Sequence, residues 1–126
     1  MKLSALFIVY AVISAIFGLT FVFAPEASLA LYGATLSPGG ILIVRLFGAA
    51  LLELAVLSWF ARNAGDSEAR KAIILALFVG EAVGFVVALF GQLSGVVNAL
   101  GWSTVAVYLL LALGFGYFQF MKPSTA

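Results

Sequence analysis

The segment at residues 72–93 reads AIILALFVGEAVGFVVALFGQL and contains a single ionisable residue, Glu81. A helix of this length extends about 33 Å at about 1.5 Å per residue, which is enough to cross the roughly 30 Å hydrocarbon core of a bilayer. Backbone polar groups inside lipid must be hydrogen-bonded within the segment, and an α-helix satisfies that requirement. The segment therefore predicts a transmembrane helix.

Three further stretches have the same length and apolar character, at residues 3–24, 38–61 and 99–121. Pro25 and Glu26 are typical of a helix start and Gly33 of a helix stop, so residues 25–32 predict a short interfacial helix. The connections are short, and sequential neighbours are expected to pack antiparallel. The sequence thus predicts one all-α integral membrane domain over residues 1–126, an antiparallel up-down bundle of four transmembrane helices.

The basic residues at the helix ends predict how the bundle is oriented. Lys2 precedes the first helix, Arg62, Arg70 and Lys71 lie between the second and third, and Lys122 follows the fourth. The other two connections contain no Lys or Arg. Because basic residues in short loops are retained on the cytoplasmic side, both termini are expected in the cytoplasm of a multi-pass protein of the bacterial inner membrane.

Composition excludes several classes of function. The chain is 65% hydrophobic and 9% charged, with a net charge of +1, so it lacks the clustered basic residues that nucleic acid binding requires. It contains no His and no Cys, which removes thiolate and imidazole metal ligands and a Cys nucleophile. We expect a protein that is not an enzyme and holds no metal. A bound lipid, quinone or pigment is compatible with this composition, although none is indicated by a motif.

Three ionisable residues, Arg45, Glu53 and Glu81, lie within the predicted membrane helices. Such charges are costly in lipid and suggest function. Counted from the cytoplasmic ends of their helices, Glu53 and Glu81 both lie roughly 12 to 14 Å deep. In an antiparallel hairpin they would occupy one level and could share a proton or bind a cation. The alternative is that each is a neutral acid bonded to a neighbouring hydroxyl, for which Tyr10 and Ser14 have comparable depth.

Arg45 lies about 10 Å below the outer end of its helix, so its side chain can extend toward the outer surface. Three further interpretations remain open for it. It could pair with a carboxylate across the bundle, bind an anionic lipid headgroup, or meet an acidic residue of a partner protein.

Small residues recur every four positions along the third predicted membrane helix, at Ala76, Gly80, Gly84 and Ala88. Such a strip lets helix backbones approach closely in lipid. It could pack within the bundle, with Gly114 and Gly116 as a complementary surface, or it could form an interface with another subunit.

Three short motifs mark the layout of the chain: Phe23-Ala24-Pro25-Glu26 after the first helix, Arg45-Leu46-Phe47-Gly48-Ala49 in the second, and Gly101-Trp102 at the start of the fourth. With these motifs the chain resembles small bacterial four-helix inner-membrane proteins with no established activity. The resemblance implies an inner-membrane location. Small multidrug resistance transporters carry an essential Glu in their first helix, which this chain lacks.

These observations favour a non-catalytic accessory or scaffold subunit that packs against other membrane subunits or against a copy of itself. The alternative is a small oligomeric ion- or proton-coupled transporter or channel that uses Glu53 and Glu81. If the protein is an accessory subunit, the strip around Gly80 and Gly84 is expected to be the helix-docking surface. Arg45 or a glutamate would then meet counter-groups across the contact.

Overall fold

The computed structural model describes residues 1–121, which form five α-helices joined by short connections. The helices are α1 (Leu3–Phe23), α2 (Pro25–Leu31), α3 (Pro38–Ala61), α4 (Glu68–Leu93) and α5 (Gly101–Gly116). A π-helical segment, Tyr117–Met121, extends α5. The all-helical prediction is confirmed, and α1, α3, α4 and extended α5 are each long and apolar enough to cross a membrane. Lys122 lies outside the described residues.

The helix boundaries follow local signals. Pro38 occupies the first turn of α3, and the Ser37 hydroxyl accepts a hydrogen bond from the Gly40 amide at 3.0 Å. Ser67 caps α4 in the same way by accepting from the Arg70 amide at 3.2 Å. This cap starts α4 at Glu68, four residues ahead of the predicted position 72. α5 starts at Gly101 instead of the predicted position 99, because residues before it form a turn.

The long helices pack as two antiparallel pairs, α1 with α3 and α4 with α5. In the first pair the backbones approach closely at Gly18 and Gly48, where a Cβ added to Gly48 would lie 2.8 Å from the Gly18 carbonyl oxygen. Within the described chain, α3 and α4 do not pack along each other, although they are consecutive. The expected packing of sequential neighbours therefore fails for this pair, because α3 uses its small-residue face to contact α1.

The two pairs meet at one end of the molecule. We call this the basic end, because it carries Lys2 and the 62–67 loop, and we call the opposite end the α2 end. Phe7 of α1 and Phe115 of α5 are fully buried there, with ring centroids 5.9 Å apart. Ala61 of α3 and Leu77 of α4 complete this core. The outer faces of the long helices expose apolar side chains, as helices surrounded by lipid are expected to do.

Candidate functional site

A cavity of about 270 Å³ lies between the two helix pairs, on the α2 side of the core. Its wall is mainly apolar and aromatic, with contributions from α1, α3, α4 and α5. The lining includes polar, aromatic and small side chains: Tyr10, Ser14, Phe17, Phe21, Phe47, Glu81, Ala88, Thr104 and Tyr108. Concave, mostly apolar sites with a few polar groups are the usual form of a small-molecule site. The cavity is therefore the first candidate for a functional site.

Glu81 is the acidic group of this cavity and lies at the end nearer the core. It lies near the middle of α4, and only 7% of its surface is exposed. The Tyr10 hydroxyl of α1 lies near both the Glu81 carboxyl and the Ser14 hydroxyl, and Tyr108 of α5 is close by. Tyr10 and Ser14 are themselves buried. The cluster therefore joins α1 to α4 by a polar contact inside an otherwise apolar interior.

The charged side chains of the cavity wall have one sign. Among residues 1–121, Glu81 is the only acidic residue on its wall, and no Lys or Arg belongs to the lining. At the α2 end, the Thr104 hydroxyl donates to the Tyr32 hydroxyl at 3.3 Å, so the lining also has polar groups at that end. A ligand in the cavity would contact aromatic faces along most of its length and a single carboxyl group at its end.

The structure does not bring Glu53 and Glu81 together. Glu53 lies on the exposed side of α3, opposite the buried positions Gly48, Ala55 and Ser58 that face α1. Within residues 1–121, Glu53 has no hydrogen bond or ion pair with another residue. The two carboxyl groups therefore face different surroundings, and the shared proton or cation site predicted for an α3–α4 hairpin does not form within the chain.

Arg45 has a local partner at the α2 end. Its Nε donates a hydrogen bond to the Val22 carbonyl oxygen at 3.2 Å, in the last turn of α1. The last carbonyls of a helix lack intrahelical partners and carry partial negative charge, so a guanidinium is favourable there. Arg45 remains exposed, and in the described part of the chain it forms no ion pair with a carboxylate.

The small residues predicted to form a strip on α4 lie in two different environments. Gly84 lies against the Tyr108 ring of α5, where an added Cβ would overlap the ring, and Ala88 lines the cavity. Ala76 and Gly80 are exposed, and an added Cβ at Gly80 would meet nothing within 4 Å. Half of the strip thus packs inside the chain. Gly116 lies against Phe78 and Gly114 against Leu6, so neither complements the exposed half.

Asn98 links two connections that lie far apart in the sequence. Its Nδ2 donates to the Leu31 carbonyl at 3.0 Å, and its backbone amide donates to the Tyr32 carbonyl at 2.8 Å. These bonds tie the α4–α5 turn to the end of α2. A lone amide side chain in an apolar turn is the signal that could have indicated this contact.

The fold and the cavity define a class, that of small all-helical proteins with four helices able to cross a membrane. Within that class, the family described as a domain of unknown function (DUF8292) matches residues 1–119, and the chain belongs to this family. No curated protein and no solved structure matches the chain.

Proposed function

We propose that the protein is a non-catalytic accessory subunit of a bacterial inner membrane that docks against another membrane protein through the Glu53 side of α3. Its orientation has both termini in the cytoplasm, in keeping with the Lys and Arg residues at the basic end. The observation that carries the proposal is the exposure of Glu53 within a membrane-crossing helix without a partner among residues 1–121.

The energetics of Glu53 support a partner. A carboxylate near the centre of a membrane helix costs on the order of 2.5 to 3.5 kcal/mol on insertion scales. Glu53 lies eight residues before the end of α3 at Ala61, so its Cα is about 12 Å from that end. Its short side chain reaches the interface less readily than Lys or Arg does. A hydrogen-bond donor or cation on a neighbouring helix would offset the cost.

The negative charge of Glu53 favours a different protein over a second copy of this chain as the docking partner. Two copies in one membrane orientation, related by a twofold axis, would place Glu53 opposite Glu53 if they met through this face. Two carboxylates at one level in low dielectric disfavour each other's ionisation. A partner helix with a Lys, an Arg or a hydroxyl at that depth is complementary to Glu53. Exposed small residues beside it, at Ala49 and Ala50, allow a close helix approach.

Transport through a paired Glu53 and Glu81 is not proposed, because no observation favours it. α3 and α4 do not pack along each other, and the two carboxyl groups face different surroundings. The absence of His and Cys from the sequence supports a non-catalytic function.

Photo-crosslinking in native membranes tests the docking proposal. A photoreactive residue at Ala50, one turn from Glu53 and exposed, should form an adduct with one other membrane protein, whereas the same residue at exposed Val12 of α1 should not. Glu53→Leu should reduce the Ala50 adduct at least severalfold, because the polar contact is lost. Glu26→Leu, which removes an exposed carboxylate from α2, is the matched control and should leave the adduct unchanged.

Two outcomes contradict the proposal. One is an adduct at twice the mass of the chain, which would mean that a second copy covers the face. The other is equal labelling at Ala50 and Val12 that is insensitive to Glu53→Leu, which would mean that α3 faces lipid.

A further inference from the structure

The cavity between the helix pairs is distinct from the Glu53 face, and its chemistry specifies a ligand. We propose that it binds a small apolar molecule that carries one cationic amine, with the amine at the Glu81 carboxyl and the apolar body among the aromatic side chains. This inference stands independently of the docking proposal, since Glu53 does not line the cavity.

The polar side chains at the Glu81 end of the cavity lie together, where they can contact the amine of the ligand. Glu81 is buried at the end of the cavity nearer the core, and Tyr10 and Ser14 are buried beside it. Buried polar side chains are normally satisfied by hydrogen bonds, and an isolated buried carboxylate is especially costly. An ammonium group would supply both a counter-charge and donors to Glu81, while the Tyr10 and Ser14 hydroxyls offer further acceptor positions.

The residues of the cavity wall favour a positively charged ligand over a negatively charged one. In the part of the chain that the structure describes, no basic residue belongs to the lining, so a fatty acid or a phosphate headgroup would meet no cation from these residues and would face the Glu81 carboxyl. Arg45, the basic residue in the nearest part of α3, is directed to the Val22 carbonyl. Aromatic faces attract cations through their quadrupoles, and Phe17 and Tyr108 are available on opposite helix pairs. The complementary ligand is therefore a monocation and not an anion.

The length of the cavity sets the shape of the ligand. On α4 the lining runs from Glu81 to Gly91, ten residues of helix, which correspond to about 15 Å. With a volume of about 270 Å³, the cavity suits a narrow molecule with one aromatic or short aliphatic body. The hydroxyls of Tyr32 and Thr104 lie toward the α2 end of the lining, and Glu81 lies toward the core.

Binding of three phenylalkyl probes tests this inference. We choose 4-phenylbutylamine, 4-phenylbutanol and 5-phenylpentanoate, which share a phenyl ring with four methylene groups and differ in the head. Each is titrated by calorimetry against the protein in nanodiscs, with empty nanodiscs to subtract partition into lipid. The amine should bind most tightly and the carboxylate most weakly. A hydrogen bond to a charged group contributes enough free energy that the amine should exceed the alcohol by about tenfold or more.

Matched variants locate the site. Glu81→Gln should weaken amine binding by about tenfold or more, whereas Glu53→Gln, which removes the same group from the exposed side of α3, should leave it unchanged. Ala88→Leu fills the cavity and should abolish binding, while Ala76→Leu places the same side chain on the exposed part of α4. If Glu81→Gln does not fold, the Ala88→Leu and Ala76→Leu pair still decides the location.

Three results would overturn the inference. Equal affinity for the three heads would indicate partition into an apolar space, and tighter binding of the carboxylate would reverse the assigned charge. Unchanged amine binding in Ala88→Leu would place the probe outside the cavity. Each of these leaves the crosslinking at Ala50 unaffected, so the two proposals fail separately.

Discussion

At the scale of the residue, Glu53 and Glu81 show how packing assigns different roles to the same side chain. Both lie well inside apolar helices, Glu53 about 12 Å from the end of α3 at Ala61 and Glu81 about 20 Å from the start of α4 at Glu68. Glu81 faces Tyr10 because α1 and α4 approach each other near the core, and Glu53 points outward because α1 covers the other side of α3. One glutamate is therefore a cavity group and the other a surface group.

We expect Tyr10→Phe to destabilise the protein by about 1 to 3 kcal/mol, because it removes the hydroxyl that lies beside the buried Glu81 carboxyl and keeps the ring that packs on Phe115 at 5.5 Å. Unfolding in detergent, followed by circular dichroism, measures this change. Tyr117→Phe removes a hydroxyl from an exposed tyrosine and serves as the control. Equal stability of the two variants would show that the Tyr10–Glu81 contact contributes nothing.

At the scale of the element, α4 has two faces that sequence spacing alone does not separate. The strip from Ala76 to Ala88 repeats every four residues, but a helix has 3.6 residues per turn, so the strip rotates gradually around the axis. Its first half is exposed, and its second half reaches α5 and the cavity. A regular small-residue strip can therefore serve an internal contact at one end and remain free at the other.

The two glycines of this strip should respond differently to the same substitution. Gly84→Leu should lower the free energy of unfolding by about 1 to 3 kcal/mol or more, because the new side chain overlaps the Tyr108 ring. Gly80→Leu should leave stability unchanged or raise it slightly, since its Cβ meets open space and leucine favours helix.

Thermal unfolding of the two purified variants under identical detergent conditions makes the comparison. A loss of stability in Gly80→Leu equal to that in Gly84→Leu would contradict the assigned faces. If Gly80→Leu is stable but loses a protein partner, the exposed half of the strip belongs to the docking surface, as the sequence analysis allowed.

Sequence signals at the helix ends predicted where the helices lie better than they predicted how the helices pack. Ser37 with Pro38, and Ser67 before α4, carry caps that depend only on neighbours in sequence. The contact between Tyr10 and Glu81 joins positions far apart in the chain, and it depends on which helix faces meet. The α3–α4 hairpin was predicted from loop length, yet Gly18 and Gly48 give α3 a closer fit to α1. The cavity arises from that pairing, so no single segment of sequence encodes it.

At the scale of the whole molecule, the two ends are held together in different ways. Phe7 and Phe115 are buried in the core at the basic end, whereas the α2 end is held by hydrogen bonds from Asn98 to Leu31 and Tyr32. If the basic end faces the cytoplasm, the α2 end faces the opposite side of the membrane.

The membrane topology on which these proposals depend can be measured directly, because the chain contains no Cys and any introduced thiol is unique. Gly65→Cys places a thiol in the exposed 62–67 loop, and Ser94→Cys places one in the exposed turn at the α2 end. In intact spheroplasts, a membrane-impermeant maleimide should label Ser94→Cys and not Gly65→Cys, and both should react after lysis. Labelling of Gly65→Cys in intact cells to the same extent as Ser94→Cys would contradict a four-span protein with both termini in the cytoplasm.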